Sequence, residues 1–364
     1  MFILTVVALS LPLVLPTRMT DPVEFDADDP AFMFNRKEPD KSLILGTDKE
    51  KSPGGGLYAF GLDGRMIAKV KGLDRPNNVD SVEDFSTPNG SIHLAVVTER
   101  LQNRLRVFAV SFSGETFRDV TGQTEVFKGE SGEDKAPMGI ACWQKNGRTF
   151  AFVTPKAGQT SRHVEQLELK FNSVTQKVDA QSVRRFGAYS GKKETESIVV
   201  DPRTERVFYS DEGVGVWAYD ANPNGKDSAV GLIRNPEHQG DHEGLAIMGD
   251  TLISTDQRKD ESVFWFYNAR SLVPCGGFRS PIDETDGIDI IDQKGGSRWM
   301  AAMNSKGRNF ALFPLDSIWK ATKPRLGSRV LQRPTGSGDP YGSVSWQFDT
   351  TPWNFLLLSS VKKR

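Results

Sequence analysis

The stretch VFYSDEGVGVWAYD, Val207 to Asp220, holds two short β-rich runs parted by four residues that include Gly213 and Gly215. The first run ends on a hydroxyl and an acid, Ser210 and Asp211, and the second is rich in aromatic and branched side chains. That is a hairpin signal. The same unit recurs through the chain. LILGTDKE (Leu43–Glu50) precedes GGLYAFGLDG, LAVVTERLQN (Leu94–Asn103) precedes RLRVFAVS, and FAFVTPKAGQ (Phe150–Gln159) precedes HVEQLELKF. LISTDQRKDE (Leu252–Glu261) precedes SVFWFYNA, and WMAAMNSKG (Trp299–Gly307) precedes RNFALFPLD. The matching residues Asp48, Glu99, Pro155, Asp211, Asp256 and Asn304 lie 45 to 56 residues apart. A repeat of that length is one four-stranded propeller blade.

Another short strand precedes each pair, opening DDPAFMF, NNVDSV, PMGIACW, TESIVV, HEGLAI and TDGIDI, and outer strands such as VRRFGAY and GGFRS complete most blades. No long stretch has the 3.6-residue apolar period of a helix. The expected fold is all-β, a six-bladed β-propeller with four-stranded blades around a central channel. The last blade lacks an outer strand of its own, and PVEFDA, Pro22 to Ala27, is the expected strand that closes the ring.

Composition narrows the function. Over 364 residues the net charge is −1, which argues against nucleic-acid and polybasic membrane partners. Four His residues do not make a His-rich metal protein, and Cys142 and Cys275 read as separate buried thiols. Phe2 to Leu15 is an apolar run too short to span a bilayer and of the length of a signal-peptide core, though no Lys or Arg precedes it. Residues 1–20 are therefore expected to be a leader, 21–319 the propeller and 320–364 a peripheral, partly disordered tail. The matching location is secreted or periplasmic, with no stable membrane insertion after processing and a monomeric state.

In a propeller the innermost strand of each blade lines the channel, so equivalent residues form a ring at one rim. Aligning the inner strands on Glu243 gives Asp29, Asn78, Met138, Glu196, Glu243 and Asp286, four of them carboxylates. The residue after the acid of each second strand gives Lys49, Arg100, Lys156, Glu212, Gln257 and Ser305. Three cations from the first three blades thus face an acid and an amide from the fourth and fifth. Asp28, Asp211 and Asp241 lie beside the ring as further ligands. Each of these residues alone reads as a solvated turn; the set does not. Clustered carboxylates repel unless a cation neutralises them, and oxygen ligands without His or Cys point to a hard ion, calcium before magnesium. Cations beside such a cluster suit a small-molecule polyphosphate substrate.

At these residues the chain resembles the β-propeller phytases, calcium-dependent alkaline phosphatases of inositol hexakisphosphate. The resemblance rests on DADDPAF (Asp26–Phe32), GTDKE, NNVD, VTER with LRVF, TPKAG, TES, DEGVGVW, DHEGL and TDGID, in the family's order, from about Asp26 to Trp319. It implies several calcium ions at one end of the channel and hydrolysis of phosphomonoesters by a metal-bound water, without a covalent enzyme intermediate. It also implies phosphate binding and catalysis by Lys49, Arg100 and Lys156, with Glu196 and Glu212 catalytic. Calcium would be held by Asp28, Asp29, Glu196, Glu212, Asp241, Glu243, Gln257 and Asp286. The chain departs from the pattern at Met138 (usually Tyr), Ala157 (often an acid), Ser197 and Arg258 (usually Gly), and Met303–Asn304–Ser305 (usually Gln-Asp-Gly). Those departures imply lower activity or another preferred ester. A calcium-stabilised binding propeller and a propeller lactonase stay open, the cations arguing against the latter.

Two other motifs compete. CWQKNGR, Cys142 to Arg148, fits the spacing of a cysteine-phosphatase loop, but Asn146–Gly147 between two apolar runs reads as a hairpin. His238 and His242 have zinc-like spacing on a helix, but their segment reads as loop then strand.

Overall fold

The computed structural model describes residues 11–130, 132–293 and 296–322; the expected tail from 323 onward and residues 1–10 of the expected leader lie outside the described residues. Six four-stranded antiparallel sheets form the propeller. The first blade runs Ala27–Met33, Leu43–Asp48, Gly55–Gly61 and Met66–Leu73, from channel to periphery. The inner strands of the next five begin at Pro76, Pro137, Thr195, Asp241 and Ile288.

What holds the ring together is apolar packing between blades. The alternation within each strand gives every blade two apolar faces. The core accordingly falls into six clusters, one for each blade interface. Leu94, Val96 and Val107 of the second blade pack on Ala151, Val153 and Leu167 of the third. Across the closing interface Ile44 and Phe60 of the first blade pack on Met303 and Phe310 of the sixth. A short α-helix, Leu315–Thr322, covers the junction of the fifth and sixth blades with Leu315 and Ile318.

The ring closes through the N-terminal segment, but not through Pro22–Ala27. Arg18–Met19 is the outer strand of the sixth blade, Arg18 opposite Leu312 and Met19 opposite Ala311. Thr17 N and Thr20 N donate to Leu312 O and Phe310 O, each at 2.9 Å. Residues after Thr20 are drawn away by Asp48, whose carboxylate takes the N–H groups of Glu24, Phe25 and Asp26 at 3.1, 3.2 and 2.9 Å. An acceptor at the end of the first blade thus outcompetes the free edge of the sixth. Upstream, Val14 N donates to Arg279 O at 2.9 Å and Arg279 N to Pro12 O at 3.0 Å. Val14 is buried among Phe278, Ile282 and Ile318.

Residues 11–19 are therefore part of the packed propeller. A chain beginning at Asp21 is expected to melt at least about 5 °C below one beginning at Leu11, because it loses a strand and a buried Val. Thermal unfolding followed by circular dichroism compares the two.

Candidate active site at the channel rim

Each inner strand carries a two-residue bulge near its start, and the bulge sets which side chains reach the rim. In the first blade Ala27 pairs with Asp48 and Pro30 with Gly46, leaving Asp28 and Asp29 unpaired. The bulges of the next blades hold Asn77–Asn78, Met138–Gly139, Glu196–Ser197 and Glu243–Gly244. Counting back from Ile288 opposite Ala302 places Asp286–Gly287 likewise. The register corrects the alignment in two blades. The equivalents of Glu243 are Asp28 and Asn77, whereas Asp29 and Asn78 are equivalent to Gly244. A one-residue slip is invisible where two acids, or two amides, stand side by side.

In the first four blades the bulge has a chemical cause in a hydroxyl near the end of the second strand; the equivalent residues of the fifth and sixth are Thr255, whose hydroxyl has no hydrogen-bond partner among the described residues, and Met303. Thr47, Thr98, Thr154 and Ser210 hydroxyls accept the N–H of Asp29, Asn78, Gly139 and Ser197 at 3.1, 3.0, 2.9 and 2.9 Å. The threonine hydroxyls then donate into the next blade, to Asn77 O, Met138 O and Glu196 O at 2.5, 2.7 and 3.1 Å. Each hydroxyl thereby satisfies one bulge and positions the neighbouring one. Asp29 belongs to this scaffold rather than to the rim. It is 5% exposed and accepts Val79 N at 3.0 Å, tying the first blade to the second. Burial pushes its carboxyl well above the usual range.

The repeated acids clamp the loops that enter the inner strands. Glu99 accepts Asp74 N at 2.9 Å, and Asp256 accepts Gly240 N at 2.7 Å. Asn304 accepts Asp283 N at 3.1 Å. Asp211 takes Ser190 N and Oγ, both at 2.7 Å, and Trp217 Nε1 at 3.1 Å. Its oxygens are thus engaged by the scaffold, and Asp211 is no candidate ligand.

The predicted acids converge. Glu212, Asp241 and Glu243 each offer an oxygen within 4.8 Å of the others, and so do Glu194, Glu196 and Glu212. Glu194 escaped the sequence reading, although in ETES it stands two residues before the ring acid, as Asp241 does in DHEG. Across the channel Lys49 Nζ pairs with Asp28 and, at 3.2 Å, with Asp286; Gln257 Nε2 donates to Asp286 Oδ1. Asn77 links the halves, donating to Glu196 Oε2 at 3.2 Å and accepting Arg100 Nη1 at 3.0 Å. Lys156 pairs with Glu133 and Glu194 at 3.0 and 3.1 Å.

The expected division into basic and acidic halves holds for Arg100 but not for Lys49 or for Lys156, which reaches Glu194 of the carboxylate group. Ring closure sets the sixth blade beside the first, so Lys49 lies between two acids. Burial alone would lower its pKa, but the attraction of Asp28, Asp286 and Glu196 outweighs it and raises it well above the usual value. Burial raises the acids, each reinforced by its neighbours. Glu196 and Glu243 lie well above the usual range, Glu212 is pushed up to about 7, and Asp28, with Lys49 opposing, to about 6.

This donor set fits a hard divalent cation. Its ligands are oxygens only, and Glu243 Oε2 is buried without a hydrogen-bond partner among the described residues. The competing motifs do not form sites. Cys142 lies in a strand, burial pushes its thiol up, and Arg148 pairs with Glu168 at 2.7 Å. The His238 and His242 rings stack 3.4 Å apart, and His238 Nε2 lies 3.1 Å from Asp241 O.

A family model described as Phytase matches residues 6–303. The chain belongs to the phytase family. A curated relative, the 3-phytase of Bacillus subtilis (strain 168), is 26% identical over 292 residues, covering 75% of this chain and 72% of the relative. Among solved structures, BBS1N in complex with ARL6DN is similar at TM-score 0.45 and 11% identity, covering 80% and 78% of the two chains. The computationally designed Ika8 protein is similar at TM-score 0.42 and 10% identity, covering 78% and 70%. Neither carries an argument about this phytase.

The raised acids make a prediction about the phytase without its cation. A carboxyl whose folded pKa exceeds its unfolded one stabilises the fold while protonated, and that stability is lost as pH rises through the interval. For Glu212 the interval runs from 4.5 to about 7. In chelator the melting temperature is expected to fall from pH 5 toward about pH 8, and a divalent cation to reverse the fall at the upper end. Differential scanning fluorimetry across pH, with and without cation, measures both.

Proposed function

We propose that this phytase is a calcium-dependent phosphomonoesterase acting on inositol hexakisphosphate, releasing inorganic phosphate and lower inositol phosphates. The observation that carries the reading is the pair of carboxylate groups meeting at Glu212, with Lys49, Arg100 and Lys156 around the same rim. Family membership and the 3-phytase relative support the phosphatase chemistry. Calcium is preferred because the ligands are carboxylates and an amide.

In this reading Asp28, Glu196, Glu212, Asp241, Glu243, Gln257 and Asp286 hold calcium, and Asp29 keeps the first two blades in register. Bound calcium would neutralise phosphate oxygens and lower the pKa of water in the site. The chain's own part is positional and electrostatic. Glu196, Glu212 and Glu243 give up the protons that burial favours, so the site loads more tightly as pH rises. Lys49 sits where a phosphate oxygen would otherwise meet Asp28 and Asp286. Arg100, fixed by Asn77 at 3.0 Å, aims donors at the non-bridging oxygens where charge develops. Met138, fully buried at the ring position, offers no phosphate hydrogen bond, so turnover is expected to be modest. An exported location follows from the apolar run at the N-terminus, with any processing placed before Leu11 because the chain from there on is packed.

Phosphate release from inositol hexakisphosphate near neutral pH, with calcium and with chelator, tests the reading. Release is expected only with calcium. Glu196→Gln and Lys49→Ala should each lower turnover by about a hundredfold or more while the propeller stays folded. Calcium-independent release would refute the cation's role, and full activity of both variants would place the chemistry elsewhere. Calcium-raised stability without release would favour the binding-propeller alternative.

A further inference from the structure

The hydroxyls at the rim pass hydrogen bonds from blade to blade, and the series changes at the fourth. Thr47, Thr98 and Thr154 donate forward, to carbonyls of the second, third and fourth inner strands. Ser210 turns back, its Oγ donating to Ser197 O in its own blade at 3.2 Å. Yet the junction of the fourth and fifth blades is where a carboxylate group is assembled from both sides. Glu212 comes from the fourth blade, and Asp241 and Glu243 come from the fifth.

Ser197 makes the link instead. Its Oγ accepts the N–H of Leu245 at 3.1 Å, across the blade boundary. Ser197 is the second residue of its bulge, and Leu245 is the first residue after the next one. Asp29 and Val79 N stand in the same relation between the first and second blades. The position faces the neighbouring blade. At the glycines that fill it in the third and fifth blades, a Cβ would meet Glu196 O at 2.0 Å and Asp286 O at 2.8 Å. Ser197 is buried, and it replaces the Gly of the family pattern, which has no side chain to accept the bond.

Glu243 depends on such an anchor. Its Oε2 is buried without a hydrogen-bond partner among the described residues, so the backbone on either side has to fix the carboxylate. Before it, His238 Nε2 lies 3.1 Å from Asp241 O, and the His242 ring stacks on that of His238. After it, Leu245 N is held by Ser197. Groups that orient ligands without touching the metal are typically worth about ten- to a hundredfold in metal affinity.

We infer that Ser197 is a positioning residue for the cation site: its hydroxyl sets Asp241 and Glu243 of the fifth blade against Glu212 of the fourth. The inference rests on the calcium reading above and adds a residue to it. Ser197 acts through Leu245 N and the bulge.

Calorimetric titration of calcium into the chelator-stripped full chain tests this. Ser197→Ala should bind calcium at least about tenfold more weakly than wild type. Ser197→Thr keeps the acceptor and should stay within about threefold of wild type. Val14→Ala is the control for general loosening. It removes buried packing among Phe278, Ile282 and Ile318, so it should lower the melting temperature and leave calcium affinity unchanged. Equal affinity of Ser197→Ala and wild type overturns the inference and leaves the calcium reading standing. So does an equal weakening by Val14→Ala, or a Ser197→Thr as weak as Ser197→Ala. No calcium binding by the wild-type protein overturns the calcium reading and the role of Ser197 together.

Discussion

In the first four blades a hydroxyl near the end of the second strand organises the rim. Without it the inner strand would pair straight through, and the channel would be lined by the alternating apolar residues of an ordinary strand. Thr47, Thr98, Thr154 and Ser210 each accept an N–H that the two-residue bulge leaves without a ladder partner. A buried N–H without a partner costs about 1–3 kcal/mol, which each of these four hydroxyls offsets. The threonines also donate to a carbonyl in the next blade, so the position of one ring residue is set by its neighbour. The site is a property of the closed circle rather than of any single blade.

Closure also decides the electrostatics. In chain order the cations come first and the acids last, which suggests two opposed arcs. In the ring the last blade meets the first, and Lys49 is held between Asp28 and Asp286 while Lys156, in the third blade, meets Glu194 of the fourth. Carboxylates packed this closely and this deeply resist ionisation. The folded chain therefore stores repulsion among them. The clamps beneath, Asp48, Glu99, Asp211 and Asp256, face the loops above, and their oxygens accept N–H groups there. Two populations of acids, one engaged by backbone and one facing its own kind, separate scaffold from site.

Much of this was legible in the chain. The spacing of the hydroxyl–acid pairs reveals the repeat, and the repeat length identifies the blade. Glu212 and Gln257 are readable because each follows a β-rich run at a fixed offset, Glu196, Glu243 and Asp286 because each stands just before one, and Asp241 as a neighbour of Glu243. Asp28 was seen only as a neighbour of the ring, because Asp29 beside it matches the same pattern and a bulge has no signature in residue type. Glu194 was passed over because it precedes the strand, in a loop where charged residues ordinarily mean nothing more than solvent.

The sequence by itself determined the number of blades, their strand content, and the chemical character of the rim: oxygen ligands on some blades, cations on others. These are local matters, set by side-chain alternation, turn residues and a repeated motif. Only the tertiary structure decided which of two adjacent residues faces the channel, that the clasp is Arg18–Met19 rather than Pro22–Ala27, and that Lys49 stands among acids. Register, closure and proximity across blades depend on hydrogen bonds between segments far apart in the chain, and such bonds leave no periodic trace in the order of residues.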